Sequence, residues 1–122
     1  ARGTYPMDET MLKQFETKLK DRRREILARL ENFEEALAYL EQSRPPEFSE
    51  EAQEEAVANS LKALDEREWQ ELKEINAALE RIRRGVYGIC EECEEEIALP
   101  RLNAVPTARL CITCQRKAEQ RR

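Results

Sequence analysis

Four cysteines in two tight pairs, Cys90-Glu-Glu-Cys93 and Cys111-Ile-Thr-Cys114, constrain this chain more than any other feature. Seventeen residues, 94 to 110, separate the pairs, giving C-x2-C-x17-C-x2-C in a chain without histidine. Two residues between thiolates let both sulfurs reach one ion, and four thiolates fill a tetrahedral shell. A closed shell leaves no position for water or substrate. The spacing therefore predicts one structural zinc per chain, held by Cys90, Cys93, Cys111 and Cys114. Disulfides and a redox C-x-x-C are the competing readings. The first suits a small secreted domain, and no stretch of positive charge followed by an apolar core looks like a signal peptide. The chain opens at Ala1, so a removed leader stays open. The second calls for a βαβ setting that the flanks of CEEC and CITC do not supply.

Charged residues make up 39% of the 122 positions and aromatics 6%, which suits exposed helices better than a thick core. No apolar run approaches the roughly 18 residues that span a bilayer, so a soluble, cytoplasmic protein with no membrane partner is expected. The net charge of −5 is divided unevenly. From residue 99 onward there are six basic side chains and one acid, while the first 98 residues carry 15 basic and 25 acidic ones. Six glutamates and one arginine fall between Glu41 and Ala58. Such segregation suggests that different parts of the chain meet different surfaces. Without histidine or a glycine-rich loop, nothing assembles a nucleophile–base pair or a phosphate cradle, and no enzyme is expected.

The predicted fold is all-α: a long antiparallel helical hairpin (coiled coil), a small four-cysteine zinc module and a short C-terminal helix. An N-terminal arm covers 1–9, the hairpin 10–86 with its tip near 43–52, and the zinc module with its helix 87–122. Leu12, Phe15, Leu19, Ile26, Leu30, Phe33, Leu37 and Leu40 mark a helical seam whose later steps of four and three are those of a coiled coil. Its phase slips around Arg22 to Leu27, but no glycine or proline interrupts it before Pro45-Pro46. Ser49 is a candidate N-cap for a second helix running to about Arg84, with Val57, Leu61, Leu64, Leu72, Ile75, Leu79 and Ile82 inward. Gly85 and Gly88 end it, and Arg81, Arg83 and Arg84 complement its dipole. Leu99-Pro100 and Val105-Pro106 read as turns inside the ligand loop, and a basic helix from about Cys111 closes the chain.

The segment GICEECEEEIALPRLNAVPTARLCITCQRKAE, preceded by a long helical hairpin, closely resembles the DksA/TraR family of bacterial transcription regulators. The match runs from about Tyr5 to Gln120. It carries the family's G-x-C-x-x-C at Gly88 to Cys93, and its R-L-x-A-x-P-T-A from Arg101 to Ala108 ahead of Cys111 and Cys114. The resemblance implies a monomer that binds RNA polymerase without sequence-specific DNA contact. Its hairpin tip would enter the secondary channel, with the zinc module and terminal helix on the rim. The family's tip motif, Asp-x-x-Asp-x-Ala, falls on Glu47, Glu50 and Ala52, so both acids are one methylene longer here. Arg67 and Lys73 fall on positions that are basic in the family and are the expected polymerase contacts. Three positions that grip the alarmone ppGpp in better-known members are Glu74, Val105 and Gln115, which offer no cationic donors to phosphate. A ppGpp response is therefore not expected. The alternative is a zinc-module nucleic-acid-binding protein that uses the basic terminal helix.

Overall fold

The computed structural model describes residues 7–28, 30, 33–41, 61 and 63–121. Among these the chain is all-α and contains no strand. Its helices are α1 (Glu9–Leu27), α2 (Phe33–Glu41), α3 (Glu66–Arg84), α4 (Leu99–Ala104) and α5 (Ile112–Gln120). The fold is a helical hairpin of α1 against α3, followed by the four-cysteine module and its C-terminal helix. One compact unit takes Lys20–Asn76, and a second takes the chain on either side of it.

The apolar seam is where the spacing places it. Phe15, Leu19, Ile26, Leu30, Leu37, Leu40, Leu61, Leu64, Leu72 and Ile75 are buried, and Leu12, Phe33, Leu79 and Ile82 are half-buried. Val57 lies outside the described residues, as do Pro45-Pro46 and Ser49. Asp8 caps α1 by accepting the Met11 amide at 2.8 Å. In the Lys20–Asn76 unit, Arg22 donates to both carboxylate oxygens of Glu71, at 2.6 and 2.9 Å. Beside it, the buried Arg23 donates to Asn76 Oδ1 at 2.8 Å. In the other unit the Phe15 ring lies 5.6 Å from that of Tyr87, just past α3. Later residues of α1 thus meet earlier residues of α3, the sense of an antiparallel pair.

The arms are not continuous, and here the structure corrects the sequence reading. The first helix ends at Leu27 and restarts at Phe33. A continuous helix would put Arg23 and Glu41, eighteen residues apart, about 27 Å from each other. Instead Arg23 Nη2 and Glu41 Oε2 are 3.5 Å apart, so α2 turns back toward α1. The second arm does not run unbroken to Arg84. α3 starts afresh at Glu66 behind a capping box, in which Asp65 accepts the Glu68 amide at 2.8 Å and Glu68 accepts the Asp65 amide at 3.2 Å. In both places tertiary burial outweighs helix propensity, since Leu27, Leu30, Leu61 and Leu64 are all buried at the breaks.

At its far end α3 closes with Gly85 at φ 80°. The Val86 amide reaches back to the Arg81 carbonyl at 2.9 Å and the Gly85 amide to Ile82 at 3.1 Å. This is a Schellman stop, and its positive φ is what requires glycine. The chain passes from there directly into the first cysteine pair.

Candidate metal centre

Two short loops bring the cysteines together. The first is a tight reversal: an isolated bridge joins Ile89 and Glu96. The Cys90 amide donates to Glu95 O at 2.8 Å and the Ile97 amide to Gly88 O at 2.8 Å. Gly88 (φ 85°) and Glu94 (φ 64°) take the left-handed conformations that the turn needs. The second pair opens α5, with Cys111 as its N-cap and its sulfur accepting the Cys114 amide at 3.5 Å. A cap and a metal ligand are therefore one residue, so the start of α5 is tied to the centre.

All four Sγ atoms lie within 4.8 Å of one another, and Cys93 Sγ and Cys111 Sγ are 3.8 Å apart. A tetrahedron with Zn–S bonds of about 2.3 Å has an edge of about 3.8 Å, so the cluster has the size of a zinc–tetrathiolate core. A disulfide would need about 2.05 Å, and all four cysteines are free. Cys90 and Cys114 are buried, Cys111 is half-buried and Cys93 is exposed. Burial opposes the Cys90 thiolate, but the amides of Cys93, Cys111 and Glu92 outweigh it and bring that thiol down to about 6. Cys114 is pushed up to about 12 by burial and by the neighbouring thiols. Four sulfurs this close cannot all ionise on their own, and a divalent cation removes the conflict. The chain thus has a C4-type site for one structural zinc.

Around the sulfurs, side chains hold the 17-residue loop by its carbonyls. Leu99-Pro100 does not form a turn, as its proline suggested, but opens α4 with proline in the first turn, a position without need of an amide donor. α4 buries Leu102 and presents Arg101, whose Nε donates to Leu110 O at 2.9 Å. Tyr87, fully buried, donates its hydroxyl to Pro106 O at 2.6 Å. Arg81 is only 7% exposed, and its Nη2 lies 3.3 Å from Thr107 O and 3.5 Å from Ala108 O. Its Nη1 is 3.6 Å from Glu91 Oε2, and Glu91 also pairs with Arg109 at 3.2 Å. The motif R-L-x-A-x-P-T-A is a set of such fixings. Arg101 clamps, Leu102 and Ala108 pack, and the Pro-Thr-Ala carbonyls accept. Helical periodicity singles out none of these contacts, and Arg81, in the last turn of α3 as expected, makes them in addition to complementing the dipole.

The remaining positions of interest that the structure describes lie on α3, in the ligand loop and on α5. Arg67 is exposed in the first turn of α3. Lys73 is exposed on the same helix with its ammonium 5.8 Å from the centre of the Trp69 ring. Glu74 accepts from Gln70, Val105 is 41% exposed, and Gln115 donates to Glu119. Glu47, Glu50 and Ala52 lie outside the described residues.

A helical hairpin joined to a closed four-thiolate centre defines an all-α zinc-finger protein. Residues 85–120 match the prokaryotic dksA/traR C4-type zinc finger, and residues 15–82 match the DnaK suppressor protein-like N-terminal domain. The chain belongs to the DksA/TraR family. It is 36% identical over 116 residues to an uncharacterized protein of Aquifex aeolicus (strain VF5), covering 93% of this chain and 80% of that one. The RNA polymerase-binding transcription factor DksA of Haemophilus influenzae is 44% identical over 69 residues, 57% of this chain and 47% of the relative. That of Escherichia coli K12 is 43% identical over 70 residues, 57% and 46%. The chain thus matches about half the length of these two relatives. Among solved structures, transcription factor DksA2 of Pseudomonas aeruginosa superposes with a TM-score of 0.63 at 40% identity, covering 95% of this chain and 88% of that one. An RNA polymerase binding protein and transcriptional regulator of Chlamydia trachomatis gives 0.57 at 26% identity, with 94% of each chain covered.

Proposed function

We propose that this protein is a monomeric, non-enzymatic cytoplasmic transcription regulator that binds bacterial RNA polymerase. It acts by inserting the turn between its helical arms into the secondary channel. The observation that carries this reading is that hairpin and zinc finger, both matched by family models, occur together in one chain. Its relatives over that region include proteins named for binding RNA polymerase. Arg67 and Lys73, exposed on α3, are the proposed polymerase contacts, and Glu47 and Glu50, with Ala52, form the working tip. The tip acids would act near the catalytic magnesium, where about 1 Å of misplacement costs up to a hundredfold in effect. The longer glutamates therefore set its strength. Glu74, Val105 and Gln115 bring no positive charge, so the action is independent of ppGpp.

The test is a pull-down with purified RNA polymerase followed by open-complex lifetimes with and without ppGpp. Glu47→Ala with Glu50→Ala is expected to leave polymerase affinity nearly unchanged and to abolish the effect on open complexes. Asp at both positions is expected to strengthen it. A double-alanine variant that regulates like the parent defeats the tip assignment. Failure to bind polymerase defeats the whole reading. Salt-sensitive binding to DNA or RNA would then favour α5 and its C-cap, where Arg116, Lys117 and Arg121 are exposed.

A further inference from the structure

The two cysteine pairs lie in separate segments, and zinc leaves when those segments part. Several contacts join them. The Glu91 amide donates to Arg109 O at 2.9 Å, and the Arg109 guanidinium pairs with Glu91 from a side chain 60% exposed. Tyr87, just before the first pair, adds its hydroxyl bond to Pro106 O at 2.6 Å. Arg81 is a further link and differs in kind, because it comes from α3 and its side chain is buried. One nitrogen faces Glu91, inside the first Cys-x-x-Cys, at 3.6 Å. The other faces the carbonyls of Thr107 and Ala108, on the approach to the second pair, at 3.3 and 3.5 Å. The backbone carbonyl of Arg81 also accepts the Val86 amide in the stop that ends α3. One residue therefore touches the helix end, the first ligand loop and the second.

We propose that Arg81 is a positioning residue of the metal centre, which holds the two ligand loops in register on the end of α3 and so makes zinc retention and the order of that helix end depend on each other. The chemistry suits an arginine. A zinc–tetrathiolate core carries a formal charge of about −2, and Glu91 adds another negative charge beside it. A buried, permanently charged guanidinium offsets part of that charge, and its fork spans a carboxylate on one side and carbonyls on the other. A lysine keeps the charge but has no planar fork. Residues that orient ligands in this way govern how long a metal stays, typically by about 10–100-fold in affinity.

The test uses the full zinc-loaded chain and the rate of zinc transfer to a chromophoric chelator. Arg81→Met is expected to release zinc about 10–100-fold faster than the parent and to shift the absorption bands of the cobalt-substituted protein. Arg81→Lys is expected to fall between the two, and it carries the test if the Met variant does not fold. Leu72→Ala, buried nine residues earlier on the same helix, is the control, expected to lower stability while releasing zinc at the parental rate. Removing zinc from the parent is expected to speed hydrogen exchange at the amides of Ile82 to Gly85. In Arg81→Met those amides already exchange fast, and removal adds little. The proposal is overturned if the Arg81 variants release zinc as slowly as the parent. It is equally overturned if Leu72→Ala accelerates release as much as Arg81→Met does.

Discussion

Between Lys20 and Asn76, burial falls mainly on leucine and isoleucine at helical spacing, with Ala36, Tyr39 and the hydrogen-bonded Arg23 among them. From Gly85 onward, burial falls on residues of assorted kinds without helical spacing: Tyr87, Ile89, Cys90, Ile97, Leu102, Ala108, Leu110 and Cys114. There the polar contacts run from long side chains to backbone carbonyls many residues away. A stripe loses stability in proportion to the area removed, because each side chain contributes independently to one continuous seam. A metal module loses it in steps, because its loops have little apolar area to fall back on once a ligand is gone. The two regions should therefore respond to substitution by different rules.

The largest effect is expected at the metal. Cys114→Ser removes a buried ligand and should forfeit most of the apparent zinc-binding energy of a structural site, about 10–16 kcal/mol. Native mass spectrometry should show the metal lost, and amide spectra should lose dispersion for residues 87–121 while the helical signal of α1 and α3 largely persists. Full zinc occupancy in this variant would erase the contrast. Next comes the stripe. Leu72→Ala, at a fully buried position, should cost toward the lower end of about 2–5 kcal/mol in chemical denaturation, with zinc content unchanged. Loss of zinc on that change would mean that the two regions unfold as one.

The smallest effect is electrostatic and sharpens the comparison through pH. Hydrogen bonds from Arg22 hold the Glu71 carboxyl below its usual range, although burial works against them. Glu71 therefore contributes stability above the ordinary glutamate value of about 4.3, and that contribution fades as pH falls through its lower folded value. Both side chains are partly exposed, so Glu71→Gln should cost less than about 1 kcal/mol at neutral pH. The difference from the parent should vanish in strong acid. A difference that persists there would show that the substitution acts through packing.

The same contrast explains what could be read in advance. Cysteine spacing and the apolar seam are local or periodic signals, so the sulfur cluster and the buried face of α1 and α3 were both visible in the sequence. The break after Leu27 was missed. Ala28, Leu30 and their neighbours include no glycine or proline, but Asn32 with Glu35 three residues on is a capping pattern in the sequence, and α2, starting at Phe33, returns to pair Glu41 with Arg23. The start of α3 was legible and missed. Asp65-Glu66-Arg67-Glu68 is a capping-box pattern, but the seam through Leu61, Leu64 and Leu72 suggested an unbroken helix across it. Arg81 lay beyond reach, since two of its partners are carbonyls 26 and 27 positions away that carry no side-chain signature, and its third, Glu91, lies past the end of the helix where periodicity gives no pairing.

Arg23 has a consequence for how uniquely this chain folds. Its guanidinium is 4% exposed, Asn76 and Glu41 satisfy its two terminal nitrogens, and its Nε finds no hydrogen-bond partner among the described residues. Burial accordingly pushes its pKa down, against the pull of Glu41. A leucine-rich stripe accepts many neighbours and many offsets almost equally well, whereas a buried cation accepts only an arrangement that supplies both Asn76 and Glu41. Any slipped pairing strands the charge altogether, which is far more costly than one unmet nitrogen. The residue works as a veto on alternatives. Arg23→Met should raise the melting temperature and at the same time multiply or broaden the amide resonances of Lys20–Asn76, a firmer protein with a less definite shape. A single sharp set of resonances in that variant would assign the selectivity to the leucines instead.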